Sequence, residues 1–240
     1  MKIGTLYGIS VGTGDPELIT VKGLKILQSS TVVAFPAGIN GKLGIAQQIV
    51  APWISSNQQQ LALDFPYVQE KEILEFAWKN AAVQVWQYLQ QGVDVTFVCE
   101  GDVSFYSTFS YLAQTLQQIH PEVLVQSIPG VCSPMAASSA LGLPLTVGAE
   151  KLVVLPAIYQ LQELEAVLNW ADVVVLMKVA SVYAQVWKIL ERRNLLERSR
   201  VVERATQKDM VIYDSLRDRP SLQLPYFSIL IVQVSQRSHL

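Results

Sequence analysis

Short apolar runs alternate with helical segments along the whole chain, and this alternation restricts the fold more than any single residue does. Thr5–Val11, Thr31–Phe35, Asp94–Cys99 and Val123–Ile128 read as strands, with a short further segment at Gln60–Phe65. Pro16–Gln28, Lys42–Ala51, Glu70–Gln91 and Tyr106–Ile119 read as the helices between them. The clearest is Glu70–Gln91, whose apolar positions recur at three- and four-residue spacing, the repeat of a helix with one buried face. Strands that take turns with helices favour a mainly parallel sheet covered on both faces. Past residue 120 the pattern restarts. Ser133–Ser139 and Tyr183–Arg193 read as helices, and Leu152–Leu155, Val173–Met177, Val201–Ala205 and Tyr226–Val234 as strands. About ten strands are too many for one ordinary sheet, so two α/β domains are expected. The helix end at Ile119, followed by His120-Pro121, sets the expected boundary: residues 1–120 and 121–240.

Composition removes several function classes. Half of the 240 residues are hydrophobic and 16% are charged, the profile of an ordered, compact chain. A net charge of -2 gives no basic excess for nucleic acid. All eight Arg fall after residue 120, with four Lys and eleven acids, whereas residues 1–120 hold six Lys and nine acids. Arg is the better fork for a carboxylate, so an acidic ligand is expected to touch the second half if it touches either. Cys99 and Cys132 stand far apart in apolar stretches, unlike a disulfide framework or a zinc site, and His120 and His239 lack ligand-spaced partners. No protein-bound metal is expected. The opening MKIGTLYGISVG lacks the features of a signal peptide, and no apolar run reaches membrane-spanning length. A cytoplasmic protein is expected, with no nucleic-acid or membrane partner.

Three glycine turns follow predicted strands. The first is Gly8-Ile9-Ser10-Val11-Gly12-Thr13-Gly14-Asp15-Pro16. It lacks the Lys and hydroxyl residue of a Walker loop, and its glycine spacing fails the dinucleotide fingerprint from either Gly8 or Gly12. Asp15 is expected to cap the helix, with Pro16 in its first position. The second turn, Glu100-Gly101-Asp102-Val103-Ser104-Phe105-Tyr106-Ser107-Thr108, again leads a strand into a helix, with Asp102 or Ser104 as the expected cap. The third is Pro129-Gly130-Val131-Cys132-Ser133, before the small-residue helix Pro134–Ala140. In open α/β sheets ligands bind just beyond the C-terminal ends of the strands.

In order and spacing these turns resemble the tetrapyrrole methylase family, whose S-adenosylmethionine-dependent members carry a Gly-x-Gly-Pro-Gly-Asp turn, then Gly-Asp-Pro, then Pro-Gly-x-Ser/Thr. The counterparts here are Gly12-Thr13-Gly14-Asp15, Gly101-Asp102-Val103 and Pro129-Gly130-Val131-Cys132-Ser133. Thr13 and Val103 stand where the family usually has proline. Within the family the chain looks most like the enzymes that methylate C20 of precorrin-2, or its cobalt complex, in cobalamin biosynthesis. The segments that carry this are Gly14–Thr20, Tyr106–Leu112, Leu176–Val179, Val202–Thr206 and Tyr226–Ser228. Methylation of uroporphyrinogen III or of a later precorrin, and a non-catalytic tetrapyrrole-binding homologue, are the alternatives.

The resemblance implies two α/β domains, with a parallel-type sheet in the first, a mixed sheet in the second, and the active site in the cleft between them. It also implies a homodimer. It assigns cofactor contacts to Glu100, Gly101, Asp102, Phe105, Cys132, Ser133, Met177 and Ala205. The tetrapyrrole, a flat apolar ring with carboxylate side chains, is expected against Gly12, Gly14 and Asp15, with Lys178 and Arg204 as carboxylate contacts. The methyl group of a sulfonium is already activated, so the chemistry needs alignment of carbon, sulfur and nucleophile within about 3–3.5 Å and no protein nucleophile. A base must then take a proton from the methylated carbon. Asp102, Glu100 and Tyr106 are the candidates, alongside water and a substrate carboxylate.

Overall fold

The structure is a computed structural model that describes residues 2–38, 42–66, 68, 70–157 and 160–236; His239 lies outside them. The chain forms two compact units, residues 1–132 and 133–240.

The first unit is built on β1 (Thr5–Ser10), α1 (Val21–Ser29), β2 (Val32–Pro36), α2 (Ile45–Val50), β3 (Gln59–Leu63), α3 (Lys71–Leu89), β4 (Val95–Cys99), α4 (Thr108–Ile119) and β5 (Leu124–Ile128). Its five strands are all parallel, in the order β3-β2-β4-β1-β5. Such a sheet must bury both faces, and the central strand β4 is buried at every position. One face collects Leu6, Val95, Phe97 and Cys99 under α3 and α4, through Val85, Leu89, Leu112 and Leu116. The other collects Ile9, Val33 and Val98 under α1 and α2, through Leu27, Ile49 and Val50. The alternation along β4, with Phe97 on one face and Val98 on the other, is the two-residue period of a strand.

The second unit follows with α5 (Ser133–Ala140), β6 (Leu152–Leu155), α6 (Leu161–Val167), β7 (Val173–Met177), α7 (Tyr183–Arg192), β8 (Ser199–Glu203), β9 (Val211–Tyr213) and β10 (Ser228–Gln233). Its sheet is mixed, in the order β6-β7-β10-β8-β9. β6 runs parallel to β7, while β10 is antiparallel to both β7 and β8. The ends of β7 and β8 and the start of β10 therefore share one edge, where Met177 pairs with Ile229 and Glu203 with Ser228. Leu164 of α6 and Val186, Ile189 and Leu190 of α7 close one face over Val174, Leu176, Val201 and Leu230.

Several local expectations change. β5 pairs with β1, so the first sheet continues past His120 and the compact units divide after Cys132. An edge strand reached by a helix from β4 reads in sequence like the opening of a new domain. The expected helix Pro16–Gln28 is broken: a 3-10 turn at Pro16–Leu18 ends at Ile19, and α1 starts afresh after Thr20, whose hydroxyl accepts from the Gly23 N–H at 3.1 Å. Asp15 caps only the short turn, accepting from Glu17 N–H at 2.9 Å. α6 and the three-residue β9 carry too short a period to stand out in sequence. Among the described residues, no helix is long and apolar enough to cross a membrane.

Candidate active site

The connections from β1 and β4 leave in opposite directions. After β1 the chain goes to α1 on one face; after the adjacent β4 it goes to α4 on the other. A crevice opens where neighbouring parallel strands diverge in this way, and it is the usual ligand site of such sheets. The first two glycine turns meet there. Gly101 N–H donates to Gly12 C=O at 2.7 Å, and Gly12 N–H donates to Gly101 C=O at 3.3 Å. One residue earlier, Val11 N–H donates to Cys99 C=O at 3.0 Å.

Asp102 joins the third turn to the other two. It is only 8% exposed. Its Oδ2 accepts from Gly130 N–H at 2.7 Å, and its Oδ1 accepts from Ser104 N–H at 2.8 Å and from the Ser104 hydroxyl. Burial by itself would raise the Asp102 pKa, but these hydrogen bonds from Ser104 and Gly130 outweigh it and hold the carboxyl below its ordinary value. Asp102 is thus a structural anion rather than the cap of α4. The cap is Ser107, whose Oγ accepts from Phe109 N–H at 3.0 Å.

Ser10, which the sequence reading did not single out, completes the stitching. Its hydroxyl donates to Ile128 C=O at 2.7 Å and accepts from Val103 N–H at 3.0 Å, with Asp102 Oδ2 at 3.4 Å. The visible signal was a polar residue inside the buried run Thr5–Val11. This contact also accounts for Val103: proline there would have no N–H to give Ser10. Gly130 lies so close to Ser10 that a Cβ on it would stand 2.4 Å from the Ser10 Cβ. Gly101 is the reverse case. Its φ of +71° demands glycine, yet a Cβ would meet nothing within 4 Å. Gly101 is itself buried, yet room is left beside its main chain, which suits a ligand group that packs directly on the backbone.

Around this scaffold, Glu100 is half-buried and Phe105 half-buried beside the exposed Tyr106, their rings edge to face at 4.8 Å. Burial pushes the Glu100 carboxyl up to about 8. Burial also pushes the Cys99 thiol up to about 12, against a hydrogen bond to Ser107 that works to lower it. Gly12 is buried, Gly14 and Asp15 are half-buried, and Cys132 is a half-buried free thiol at the end of the third turn, next to Ser133 in the first turn of α5.

The remaining expected contacts lie in the second unit, at the edge shared by the ends of β7 and β8. Met177 is half-buried although the four residues before it are fully buried, so it is not core. Ala205 is buried. Lys178 and Arg204 both follow strand ends in left-handed backbone, with φ of 52° and 49°. Arg204 already has acidic partners: Asp209 at 2.8 Å and Glu203 at 3.2 Å. The Lys178 ammonium sits 5.7 Å from the centre of the Tyr226 ring and has no acidic partner among the described residues.

The pattern that defines the Tetrapyrrole (Corrin/Porphyrin) Methylases matches residues 5–218. The chain is 30% identical to the cobalt-precorrin-2 C(20)-methyltransferase of Salmonella typhimurium, over 95% of this chain and 96% of that protein. It is 31% identical to the precorrin-2 C(20)-methyltransferase of a Sinorhizobium species, over 96% and 95%. It is also 32% identical to the cobalamin biosynthesis protein CobIJ of Mycobacterium tuberculosis, covering 98% of this chain but only 47% of that longer protein, so it spans about half of that relative. In fold it matches the crystal structure of the cobalt precorrin-4 methyltransferase CbiF with a TM-score of 0.72 at 22% identity, over 97% of this chain and 96% of that one. A uroporphyrin-III C-methyltransferase from Thermus thermophilus, solved with S-adenosylhomocysteine, matches with a TM-score of 0.64 at 19% identity, over 95% and 97%. With its stitched glycine turns and its match over nearly the whole length, this chain belongs to the tetrapyrrole methylase family.

Proposed function

We propose that this chain transfers a methyl group from S-adenosylmethionine to C20 of precorrin-2 or its cobalt complex, a step of cobalamin biosynthesis. The observation that carries the reading is the meeting of three glycine turns at the crevice between β1 and β4, one of them with room beside its main chain. Relatives named for C20 methylation, alike over nearly their whole length, support the choice of ring position.

The residues present fit such a cofactor. The open face of Gly101 admits a ligand against the main chain, and Phe105 adds an apolar wall. In this reading Glu100 and Gly101 contribute main-chain groups, and Asp102 acts by holding the second and third turns in place. Cys132, Ser133, Met177 and Ala205 supply further contacts to the adenosyl group. The bound cofactor supplies an activated methyl group on a cationic sulfur; the chain's own task is orientation and exclusion of water. Gly12, Gly14 and Asp15 border the tetrapyrrole. Lys178, with no acidic partner among the described residues, takes a substrate carboxylate directly. Arg204, held by Asp209 and Glu203, keeps a fixed orientation and offers its remaining donors.

The test is anaerobic incubation with methyl-13C-labelled S-adenosylmethionine and either metal-free or cobalt-loaded precorrin-2. A single labelled methyl on C20, located by NMR, is the expected outcome, and the better substrate decides the metal question. Transfer to neither form, or to another carbon, contradicts the reading. The family resemblance further leads us to propose a cytoplasmic homodimer; a monomer in sedimentation equilibrium contradicts the dimer.

A further inference from the structure

The proposed reaction leaves one step without a residue: removal of the proton from the ring carbon that gains the methyl group. The structure separates the three candidate bases. Asp102 has both oxygens engaged, Oδ1 by the Ser104 N–H and hydroxyl and Oδ2 by the Gly130 N–H, and taking a proton would break the stitching of the turns. Tyr106 is 56% exposed, and a phenol becomes a base only after losing its own proton. Glu100 differs from both. Its main chain is clamped on either side, by Val11 N–H on Cys99 C=O and by the paired bonds between Gly101 and Gly12. The residue directly follows β4, next to Gly101, its side chain is half-buried, and its carboxyl has neither a hydrogen bond nor an ion pair among the described residues. A carboxyl group on a backbone fixed beside the crevice, with no partner among the described residues, is available to a bound ligand.

From this placement we infer that the Glu100 carboxylate accepts the proton from the methylated ring carbon. The inference rests on the methyltransferase reading above. The step balances without a further reactant. The electron pair of the ring carbon forms the new carbon–carbon bond while the carbon–sulfur bond breaks with its pair left on sulfur, so the sulfonium becomes a neutral thioether and the macrocycle gains the positive charge. The ring proton then passes to Glu100, the carbon–hydrogen pair returns to the macrocycle, and Glu100 later gives the proton to solvent. The titratable groups next to Glu100 along the chain are the Cys99 thiol, kept neutral by burial, and the Asp102 carboxylate, kept ionised by its hydrogen bonds. Burial pushes Glu100 up to about 8, near the range where a general base works best. Since the ionised form is the base, the single-turnover rate rises with pH and levels off above that value.

The test compares wild type, Glu100→Gln and Glu100→Asp in four measurements. These are S-adenosylhomocysteine affinity by calorimetry, the carboxylic-acid band by infrared pH titration, single-turnover methylation of precorrin-2 against pH, and the rate with deuterium at C20. Glu100→Gln is expected to bind S-adenosylhomocysteine within about twofold of wild type and to lack the band that vanishes as the wild-type protein passes pH 8. It is expected to slow turnover by about 100-fold or more, to lose the pH rise, and to gain a deuterium isotope effect absent from wild type. Glu100→Asp is expected to restore part of the rate and the pH rise. A Glu100→Gln protein with wild-type rate and pH profile overturns the inference and gives the proton to water or a substrate carboxylate. Loss of S-adenosylhomocysteine binding in both variants overturns it in favour of a cofactor contact. A wild-type protein that methylates no form of precorrin-2 fails one level higher, removing the reading on which the inference rests.

Discussion

The strand-end edges of the two sheets solve the same geometric problem with different residues. Both need left-handed backbone where strands give way to turns. In the first unit the crevice uses glycine, at Gly12 and Gly101. In the second unit the residues after β7 and β8 are Lys178, Arg204 and Thr206, all at positive φ. A side chain in that conformation costs about 1 kcal/mol or more, a cost glycine would avoid. The two edges differ in what stands above the turn: at the first, Leu18 crowds Gly12 and room is left beside Gly101, whereas the second accepts strain to keep side chains in place. Tyr106, at φ 52°, is the exception in the first unit, and it stands at the rim rather than in the stitched turns.

Breaking the first edge gives the largest effects. Asp102→Ala leaves the N–H groups of Gly130 and Ser104 without their acceptor. At about 1–3 kcal/mol for each buried group left unpaired, a loss of about 3 kcal/mol in urea denaturation is expected. Asp102→Asn keeps one acceptor and loses less. Because the folded-state pKa of Asp102 lies below its ordinary value of 3.8, the stability it adds as an anion is present above that value. It is lost as pH falls through the lower, folded-state value, so the gap between wild type and Asp102→Asn closes in strong acid. A gap that persists there contradicts the anionic role.

Gly130→Ala is next. Its methyl group falls 2.4 Å from the Ser10 Cβ, and relieving that overlap moves the third turn. Overpacking of this kind costs about 1–3 kcal/mol, and denaturation should show about 2. Lys178→Gly sharpens the comparison with the smallest change and the opposite sign. Relief of the left-handed strain should raise stability by about 0.5 kcal/mol while raising the KM for precorrin-2, the concentration needed to half-saturate turnover. A stability loss at Lys178→Gly would mean that the second edge is not strained.

How much of this was legible in the sequence follows from the range of each signal. The alternation of strands and helices is local, so most strands and helices of both units could be read. The glycine turns were visible because positive φ, at Gly12 and Gly101, and close approach, at Gly130, both write themselves in the sequence as glycine. Left-handed Lys178 and Arg204 leave no such mark, and neither does the pairing of Arg204 with Asp209 and Glu203. The role of Asp102 in joining the turns was not legible because one of its partners, Gly130, lies 28 residues away. Ser10 reaches further still, to Val103 and Ile128. Contacts of that span depend on sheet order: β4 and β5 flank β1 only once the strands are placed. The boundary after His120 suffered the same way, because only pairing with β1 assigns β5 to the first sheet.

The central claim is that the open, stitched turns of the first unit receive the adenosyl group. Calorimetric titration of S-adenosylhomocysteine into wild type and Gly101→Ala tests it most directly. The added methyl meets no protein atom within 4 Å, so it burdens the backbone by about 1 kcal/mol and otherwise intrudes only on the ligand. Micromolar binding to wild type, with a drop of more than tenfold in a still-folded Gly101→Ala, is the predicted result. Equal binding by both proteins, or binding by neither, contradicts the account.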